Sequence, residues 1–123
     1  AAESLWSEPM KQRAVAAGGD ETEQTRVFDI VRGVAWPSHY PGRAIRNAFS
    51  RRWHADEAGL GASREATEKN YLATSADDFQ TRVVWAGEGV DLVKTVATAE
   101  QIIERIVADA VSGLDRSSSL IAR

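Results

Sequence analysis

The sequence contains no cysteine, which excludes disulfide bonds, thiolate metal sites and cysteine nucleophiles. A chain without cysteine suits a reducing compartment, so we expect a cytoplasmic location. It has only two histidines, His39 and His54, and neither an HxH nor an HExxH spacing occurs. Convergent ligands are what a metal site requires, so we predict no bound metal.

Long apolar runs are also missing, since none approaches the roughly 18 residues needed to span a bilayer. We therefore predict no membrane partner. The net charge of −3 and the pI of about 5.4 argue against a nucleic-acid partner. The sequence has no phosphate-binding glycine motif, no GxSxG elbow and no calcium-binding loop pattern. With 43% hydrophobic and 27% charged residues, the 123-residue chain has the composition of one globular domain or a piece of one.

The unusual residues that are present lie mostly in residues 25–54, which hold two of the three prolines and both histidines. Residues 25–31 are rich in β-branched and aromatic side chains and predict a short strand. Residues 33–42 contain Pro37 and Pro41 and are expected to be irregular. Residues 42–53 predict a helix, because apolar side chains recur every four residues at Ile45, Phe49 and Trp53.

The flanking segments carry ordinary helix and turn signals. Ser7 is a predicted N-cap of a first helix that ends at the glycine pair 18–19. Residues 54–63 are small, acidic and glycine-containing and predict a loop. Ser63 is expected to cap a helix that reaches Ala73, with Ala66 and Tyr71 on its inner face, and residues 76–80 predict a turn.

The clearest helix signal lies near the end of the sequence. Thr98 and Gln101 form a predicted capping box for a helix over residues 99–115, followed by a frayed tail over residues 116–123. Its apolar residues repeat at spacings of three, four and seven, namely Ile102, Ile103, Ile106, Val107, Ala110, Val111 and Leu114. Since few partners for this stripe are evident in the chain, we expect it to pack against a further body.

Four arginines, Arg43, Arg46, Arg51 and Arg52, lie within ten residues without an intervening acid. Guanidinium groups bind phosphate or carboxylate through two parallel hydrogen bonds, so an anion site is one interpretation. The other is that Arg43 or Arg46 pairs with a carboxylate such as Asp29 and the remaining arginines are solvated. Asn47 is expected to cap a loop or to hydrogen-bond a neighbouring body.

The proline-containing segment carries an aromatic group. Trp36, Pro37 and Tyr40 could wall an apolar substrate pocket, or they could form a hydrophobic plug. His39 lies between the two prolines and is expected to face solvent or an interface rather than to act in catalysis. Both interpretations of the aromatic group stay open at this point.

Several strings, with the gaps between them, resemble the C-terminal region of nitronate monooxygenases, formerly called 2-nitropropane dioxygenases. They are FDIVRG at 28–33, WP at 36–37, Tyr40, PGRAIRN at 41–47, RRWH at 51–54 and VVWAGEGV at 83–90. The resemblance spans most of residues 4–112. Members of that family are FMN-dependent enzymes built on a TIM barrel, which oxidise alkyl nitronates with O₂.

The resemblance implies an α/β TIM-barrel parent, of which this chain would be a mostly helical α+β C-terminal segment with short strands. Residues 1–19 would be the helix after the last barrel strand, 20–80 a substrate-side cap, and 81–123 the return to the barrel with a barrel-packing terminal helix. The family's catalytic histidine lies upstream, so no catalytic residue is expected here. The isolated chain is therefore expected to be inactive, and its partner would be the missing barrel portion. Self-association is left open.

The same resemblance implies a site. Trp85, Ala86, Gly87 and Glu88 would lie near the flavin, and Trp36, Tyr40, Arg43 and Asn47 on the substrate side. Glu88 stands where many members have glutamine, and an ionised carboxylate cannot donate the hydrogen bond that an amide can. A strand-to-helix turn is the structural alternative for the same four residues. A flavin-dependent NADH:quinone or enoyl reductase, and a non-enzymatic anion-binding module, are the alternative functions.

Overall fold

The computed structural model describes the backbone of residues 1–121 and the side chains of residues 1–118. The chain divides into two compact units. One is Trp6–Lys94. The other joins Ala1–Leu5 to the chain from Thr95 onward.

The larger unit is a small α+β arrangement of short elements. Its helices are α1 (Glu8–Val15), α2 (Val27–Val31), α3 (Ala48–Trp53), α4 (Glu57–Ala62) and α5 (Arg64–Ala73), and its strands are β1 (Thr22–Thr25) and β2 (Gly42–Ile45). Two 3₁₀ turns cover Gly19–Glu21 and Glu88–Leu92. The smaller unit contains α6 (Ala99–Ile121).

Strands β1 and β2 pair antiparallel, with Thr22 opposite Ile45 and Thr25 opposite Gly42. The predicted strand over residues 25–31 is therefore wrong, because the strand ends at Thr25 and α2 follows. The Oγ1 of Thr25 accepts a hydrogen bond from the backbone amide of Val27 at 3.3 Å at the start of that helix. Burial of Val27, Phe28 and Val31 on one helical face outweighs the strand preference of their side chains.

The predicted helix over residues 42–53 is also wrong in its first half. Residues of β2 are paired on both sides, because the segment after Val83 adds a bridge between Ala44 and Trp85. The amide of Ile45 donates to the carbonyl of Val84 at 2.9 Å. These hydrogen bonds join segments that are far apart in the sequence, so the local four-residue repeat does not reveal them. Only α3 keeps the predicted helical form.

Residues 54–63 contain a helix rather than the predicted loop. Asp56 caps α4, since its Oδ1 accepts a hydrogen bond from the amide of Gly59 at 2.9 Å. Leu60 is fully buried and anchors the helix to the core. The two glycines lower the intrinsic helix propensity, but the cap and the buried leucine compensate for them.

Other helix signals are confirmed with adjusted ends. The Oγ of Ser7 accepts a hydrogen bond from the amide of Met10 at 3.3 Å, as an N-cap does, although α1 ends at Val15, before the glycine pair. Helix α5 spans the predicted residues, but Ser63 makes no side-chain capping bond. Tyr71 is buried as predicted, whereas Ala66 is exposed. Residues 76–80 form the predicted turn.

The core of the larger unit lies on both faces of β2, because successive side chains of a strand point to opposite sides. Ala44 belongs to one cluster, with Val27, Phe28, Val31, Leu60 and Tyr71. Ile45 belongs to the other, with Ala14, Ala17, Val84 and Val90. The alternation continues in the bridging segment, where Val83 and Trp85 pack on the first cluster and Val84 joins the second.

In the smaller unit the predicted capping box is confirmed. The amide of Gln101 donates to Thr98 Oγ1 at 3.2 Å, and the amide of Thr98 donates to Gln101 Oε1 at 3.0 Å. Helix α6 continues to Ile121, so the frayed tail is wrong for residues 116–121. In this part of the helix the Arg116 guanidinium donates a hydrogen bond to Ser112 Oγ, one turn earlier, at 2.6 Å. Residues 122 and 123 lie outside the described residues.

The apolar stripe of α6 is exposed, with exposed fractions of 61% for Ile103, 60% for Ile106 and 69% for Leu114. The carboxylate of Glu3 accepts a hydrogen bond from the first helical amide, that of Ala99, at 2.9 Å. Within residues 1–121, none of the helices combines the length and the apolar character that a membrane span needs.

Candidate functional site

An open cavity of about 410 Å³ lies on the larger unit. Its volume is within the range of small-molecule pockets. It is lined by Asp29, Arg32, Val34, Trp36, Tyr40, Pro41, Gly42 and Trp85. Three aromatic side chains thus come from two distant parts of the chain, which the fold brings to one place.

The first aromatic wall is held by hydrogen bonds inside the loop that precedes β2. The indole Nε1 of Trp36 donates to the carbonyl of Tyr40 at 2.6 Å. The amide of Val34 donates to the carbonyl of Asp29 at 2.9 Å and ties the start of the loop to α2. Gly33 turns the chain there with φ of +65°, a conformation that glycine adopts without strain. The loop is irregular, as its prolines predict, but it is ordered by its own bonds.

The second aromatic wall, Trp85, depends on Gly42. A Cβ at Gly42 would lie only 2.5 Å from Cζ3 of the Trp85 indole, so only glycine leaves room for the ring. On its other side the indole meets Phe28 edge to face, with ring centroids 5.9 Å apart. Trp85 is therefore wedged between the core and the strand backbone, which fixes the floor of the cavity.

Arg43, predicted for the substrate side, and Glu88, predicted to lie near the flavin, pair with each other. Arg43 Nη2 lies 2.9 Å from Glu88 Oε1, and Arg43 Nη1 donates to Thr22 Oγ1 at 3.2 Å. This is the carboxylate-pairing interpretation of the arginine. With Arg43 against it, the Glu88 carboxylate acts as an acceptor, and it joins the 3₁₀ turn to β2.

Asn47 caps α3 and does not line the cavity. Its Oδ1 accepts from the amide of Ser50 at 2.9 Å, and its Nδ2 donates to the carbonyl of Arg82 at 3.0 Å. The side chain of Ser50 accepts in return from the Asn47 amide at 3.0 Å. Asn47 is 4% exposed, so the structure shows the capping interpretation of this residue.

The turn after Trp85 leaves its backbone approachable. Ala86 is tied to β2 by donating its amide to the carbonyl of Arg43 at 3.1 Å. Apart from its two neighbours in sequence, a Cβ added at Gly87 would meet no atom of the described residues within 4 Å. Close approach of a planar ligand is therefore allowed at Gly87, although nothing in the turn demands glycine there.

The cavity also contains two ionisable side chains that the resemblance did not point to as site residues, Asp29 and Arg32. Burial raises the pKa of the Asp29 carboxyl above its ordinary value, while the guanidinium groups of Arg32 and Arg26 act in the opposite direction. Both residues lie in the string FDIVRG. That position, directly before the glycine at which the chain reverses, was the available signal.

The other arginines of the 43–52 group and the two histidines are not among the residues that line this cavity. Arg46 donates to the carbonyl of Asp20 and Arg52 lies over the Trp53 ring at 5.0 Å. The His39 ring packs on Tyr40, with centroids 4.3 Å apart, and His54 Nδ1 lies 3.9 Å from a carboxylate oxygen of Glu23. No group of three or more potential metal-ligating side chains converges in the described part of the chain.

Comparison of the chain with protein-family models, with curated proteins and with solved structures finds no match.

Proposed function

We propose that this chain is the C-terminal part of an FMN-dependent, nitronate monooxygenase-like oxidoreductase that oxidises alkyl nitronates with O₂ in the cytoplasm. One observation supports the proposal most strongly. Trp36 and Tyr40 come from the resembling strings that lie within residues 28–54 and Trp85 from the string at 83–90, and all three line a single cavity. A shared pocket is what the resemblance requires if the substrate-side residues and the flavin-side residues serve one reaction.

The residues present fit a flavin in part. The exposed turn at Gly87 and the amide-anchored Ala86 would let the backbone lie against a planar cofactor. Glu88 does not fit as a hydrogen-bond donor, since its carboxylate is paired with Arg43. FMN, when bound, supplies the redox chemistry of such enzymes. The aromatic side chains of this chain would bind and orient the substrate and exclude water from it.

The remaining partner in this proposal is a TIM-barrel portion of the same protein. The exposed apolar stripe of α6 supports it, because an apolar stripe of this width is typical of a helix that packs on a core. The catalytic histidine and the phosphate-binding loop would belong to that portion. We accordingly expect the isolated 123-residue chain, supplied with FMN, to leave propionate 3-nitronate unchanged.

The test uses the protein that carries these residues together with its barrel. Purified protein should show flavin absorbance and should consume O₂ with propionate 3-nitronate. Replacing Trp36 by alanine should raise KM for the nitronate more than it lowers kcat, because the ring binds substrate without reacting. Absence of flavin, or turnover of NADH with quinone in place of nitronate, would contradict the proposal, and the second result would indicate the reductase.

A non-enzymatic anion-binding module is the second candidate. The observation in its favour is that the cavity is built entirely from residues of Trp6–Lys94 and contains a guanidinium group. Such a module would bind its ligand without flavin or barrel. Binding of a small anion with no flavin in the purified full-length protein would favour it.

A further inference from the structure

Most arginine side chains of the larger unit have a partner in the structure, and Arg32 is an exception. Arg13, Arg26, Arg43 and Arg64 each pair with a glutamate, Arg46 and Arg82 donate to backbone carbonyls, and Arg52 lies over an indole. Among the described residues, the Arg32 guanidinium makes no hydrogen bond and no salt bridge within 4.0 Å, and its one recorded interaction is an electrostatic one with the Asp29 carboxyl. Arg51 is similarly unpaired there, but it lies on the exposed face of α3 and lines none of the described cavities. Arg32 is thus a cation on the wall of a cavity whose guanidinium donors have no hydrogen-bond partner among the described residues.

The cavity around Arg32 is preformed rather than collapsed. The Trp36–Tyr40 hydrogen bond of 2.6 Å closes the loop on one side, and the wedge between Gly42 and Phe28 fixes Trp85 on the other. Fixed walls reduce the ordering cost that a ligand must overcome on binding. The apolar surface of the three rings suits a flat or branched hydrocarbon body.

The charge on the wall then determines the ligand class. A guanidinium whose donors are not engaged in hydrogen bonds presents a planar fork that matches two oxygens on one atom, as in a carboxylate or a nitronate. Asp29 is the carboxyl on the same wall, and burial raises its pKa while Arg32 and Arg26 act in the opposite direction. A cation held by Asp29 and the aromatic rings is the competing occupant.

We propose that Arg32 is the anion anchor of this cavity, binding the two oxygens of a planar organic anion whose apolar body lies against Trp36, Tyr40 and Trp85. The choice of a nitronate among such anions rests on the proposed function. The anion site itself does not, because a carboxylate has the same charge and a similar shape and needs no flavin.

The test compares three probes that share one aryl body and differ in charge: benzoate, benzamide and benzamidine. Each is titrated into the full chain, with calorimetry and with the fluorescence of the pocket tryptophans as readouts. Benzoate should bind at least about tenfold more tightly than benzamide, as expected for a charge-assisted pair. Equal binding of the two, absence of benzoate binding at millimolar concentration, or preference for benzamidine would overturn the proposal.

Variants locate the anchor. Arg32→Gln should weaken benzoate binding about tenfold or more and leave benzamide binding unchanged. Arg32→Lys should restore only part of the loss, since an ammonium group lacks the fork. The matched control is Arg51→Gln, which removes an unpaired exposed arginine away from the cavity and should change nothing. Because Arg32 is exposed, its replacement should not unfold the chain, which circular dichroism would verify. Benzoate binding unaltered by Arg32→Gln would overturn the proposal.

The inference and the proposed function can fail separately. If Arg32 binds benzoate but the flavin-containing protein does not oxidise nitronates, only the proposed function falls. If nitronates are oxidised and Arg32→Gln leaves their KM unchanged, only the anchor falls.

Discussion

The two units of this chain use the same apolar residue types in opposite ways. In Trp6–Lys94, Phe28 and Leu60 are fully buried among short helices and two four-residue strands. In α6, Ile103 and Leu114 remain more than half exposed on a helix of 23 residues. A helix as long as α6 depends less on burial than a short one, because a single nucleation step is followed by many propagating hydrogen bonds. Elements of four to six residues depend on the partners they bury against.

The capping bonds of the helices differ between the two units in the same way. Helix α6 begins with a reciprocal capping box, and the carboxylate of Glu3 accepts from its first amide. Helix α2 has only five residues, and its N-cap residue Arg26 makes no side-chain bond, although Thr25 Oγ1 accepts from its first amide. Three of the five residues are buried. Its stability must come from packing, because five residues cannot offset the cost of helix nucleation.

The largest effect should come from emptying the core of the larger unit. Phe28→Ala removes a ring that stacks on Phe49 at 5.8 Å and meets Trp85 at 5.9 Å, and it should lower the free energy of unfolding by about 3–5 kcal/mol. Ile106→Ala in α6 removes an exposed side chain and should cost within about 0.5 kcal/mol. Urea denaturation measures both. Equal losses would show that the α6 stripe is covered in solution.

A smaller loss is expected where the strand backbone meets an aromatic ring. Gly42→Ala would place a Cβ 2.5 Å from the Trp85 indole, so the ring must shift, at a cost of about 1–3 kcal/mol. The shift should also change tryptophan fluorescence and weaken benzoate binding. The control is Gly61→Ala on α4, where an added Cβ meets nothing within 4 Å. An unchanged emission spectrum in the Gly42 variant would show that the indole is not wedged.

Caps offer a direct comparison of the units. Asn47→Ala removes the cap of α3 and a bond to the Arg82 carbonyl, and should cost about 1–2 kcal/mol of global stability. Thr98→Ala removes the cap of α6, whose helix does not contribute a buried side chain to the described core. It should reduce helical circular dichroism while leaving the urea midpoint of the larger unit nearly unchanged. A matching fall in both variants would remove the distinction between the units.

The sequence predicts those parts of the fold whose causes are local. The Ser7 cap, the Thr98–Gln101 box and the irregular proline loop follow from neighbouring residues, and the structure confirms them. Strand β2 could not be predicted in this way, because it exists through bonds to β1 and to the segment around Val84, about 20 and 40 residues away. The four-residue repeat of Ile45, Phe49 and Trp53 predicted one helix, but only Phe49 and Trp53 lie in α3, while Ile45 ends β2.

Some residues of the candidate site could likewise be predicted from the sequence, and others could not. Trp36, Tyr40 and Trp85 were predicted as site residues from the strings that contain them, and the fold places them around one cavity. Asn47 was predicted for the substrate side and serves as a cap, because its side-chain oxygen accepts from the Ser50 amide, which has no partner inside α3. Arg32 was overlooked because sequence counting favoured the denser arginine group at 43–52. Whether an arginine is paired depends on which carboxylates the fold brings near it.

The smallest effect is a dependence of stability on pH that should differ in sign between two carboxyl groups of the larger unit. Burial raises the pKa of Asp29, so the folded chain holds this proton more tightly than the unfolded chain does. The stability that the neutral form contributes is complete below the unfolded pKa and is lost as pH rises through the folded pKa. Asp29→Asn should therefore gain stability relative to the natural chain as the pH rises from acid to neutral.

Glu21 supplies the opposing case. A hydrogen bond from the Gly18 amide lowers its pKa, with Arg13 adding to the effect, so its contribution is present above the unfolded pKa and is lost as pH falls. Glu21→Gln should lose stability relative to the natural chain at neutral pH and converge with it in acid. Urea midpoints across pH 3–7 for both variants would display the two slopes, a range chosen to bracket ordinary carboxyl pKa values of about 4. Parallel slopes would show that burial does not raise the pKa of Asp29 in the folded chain.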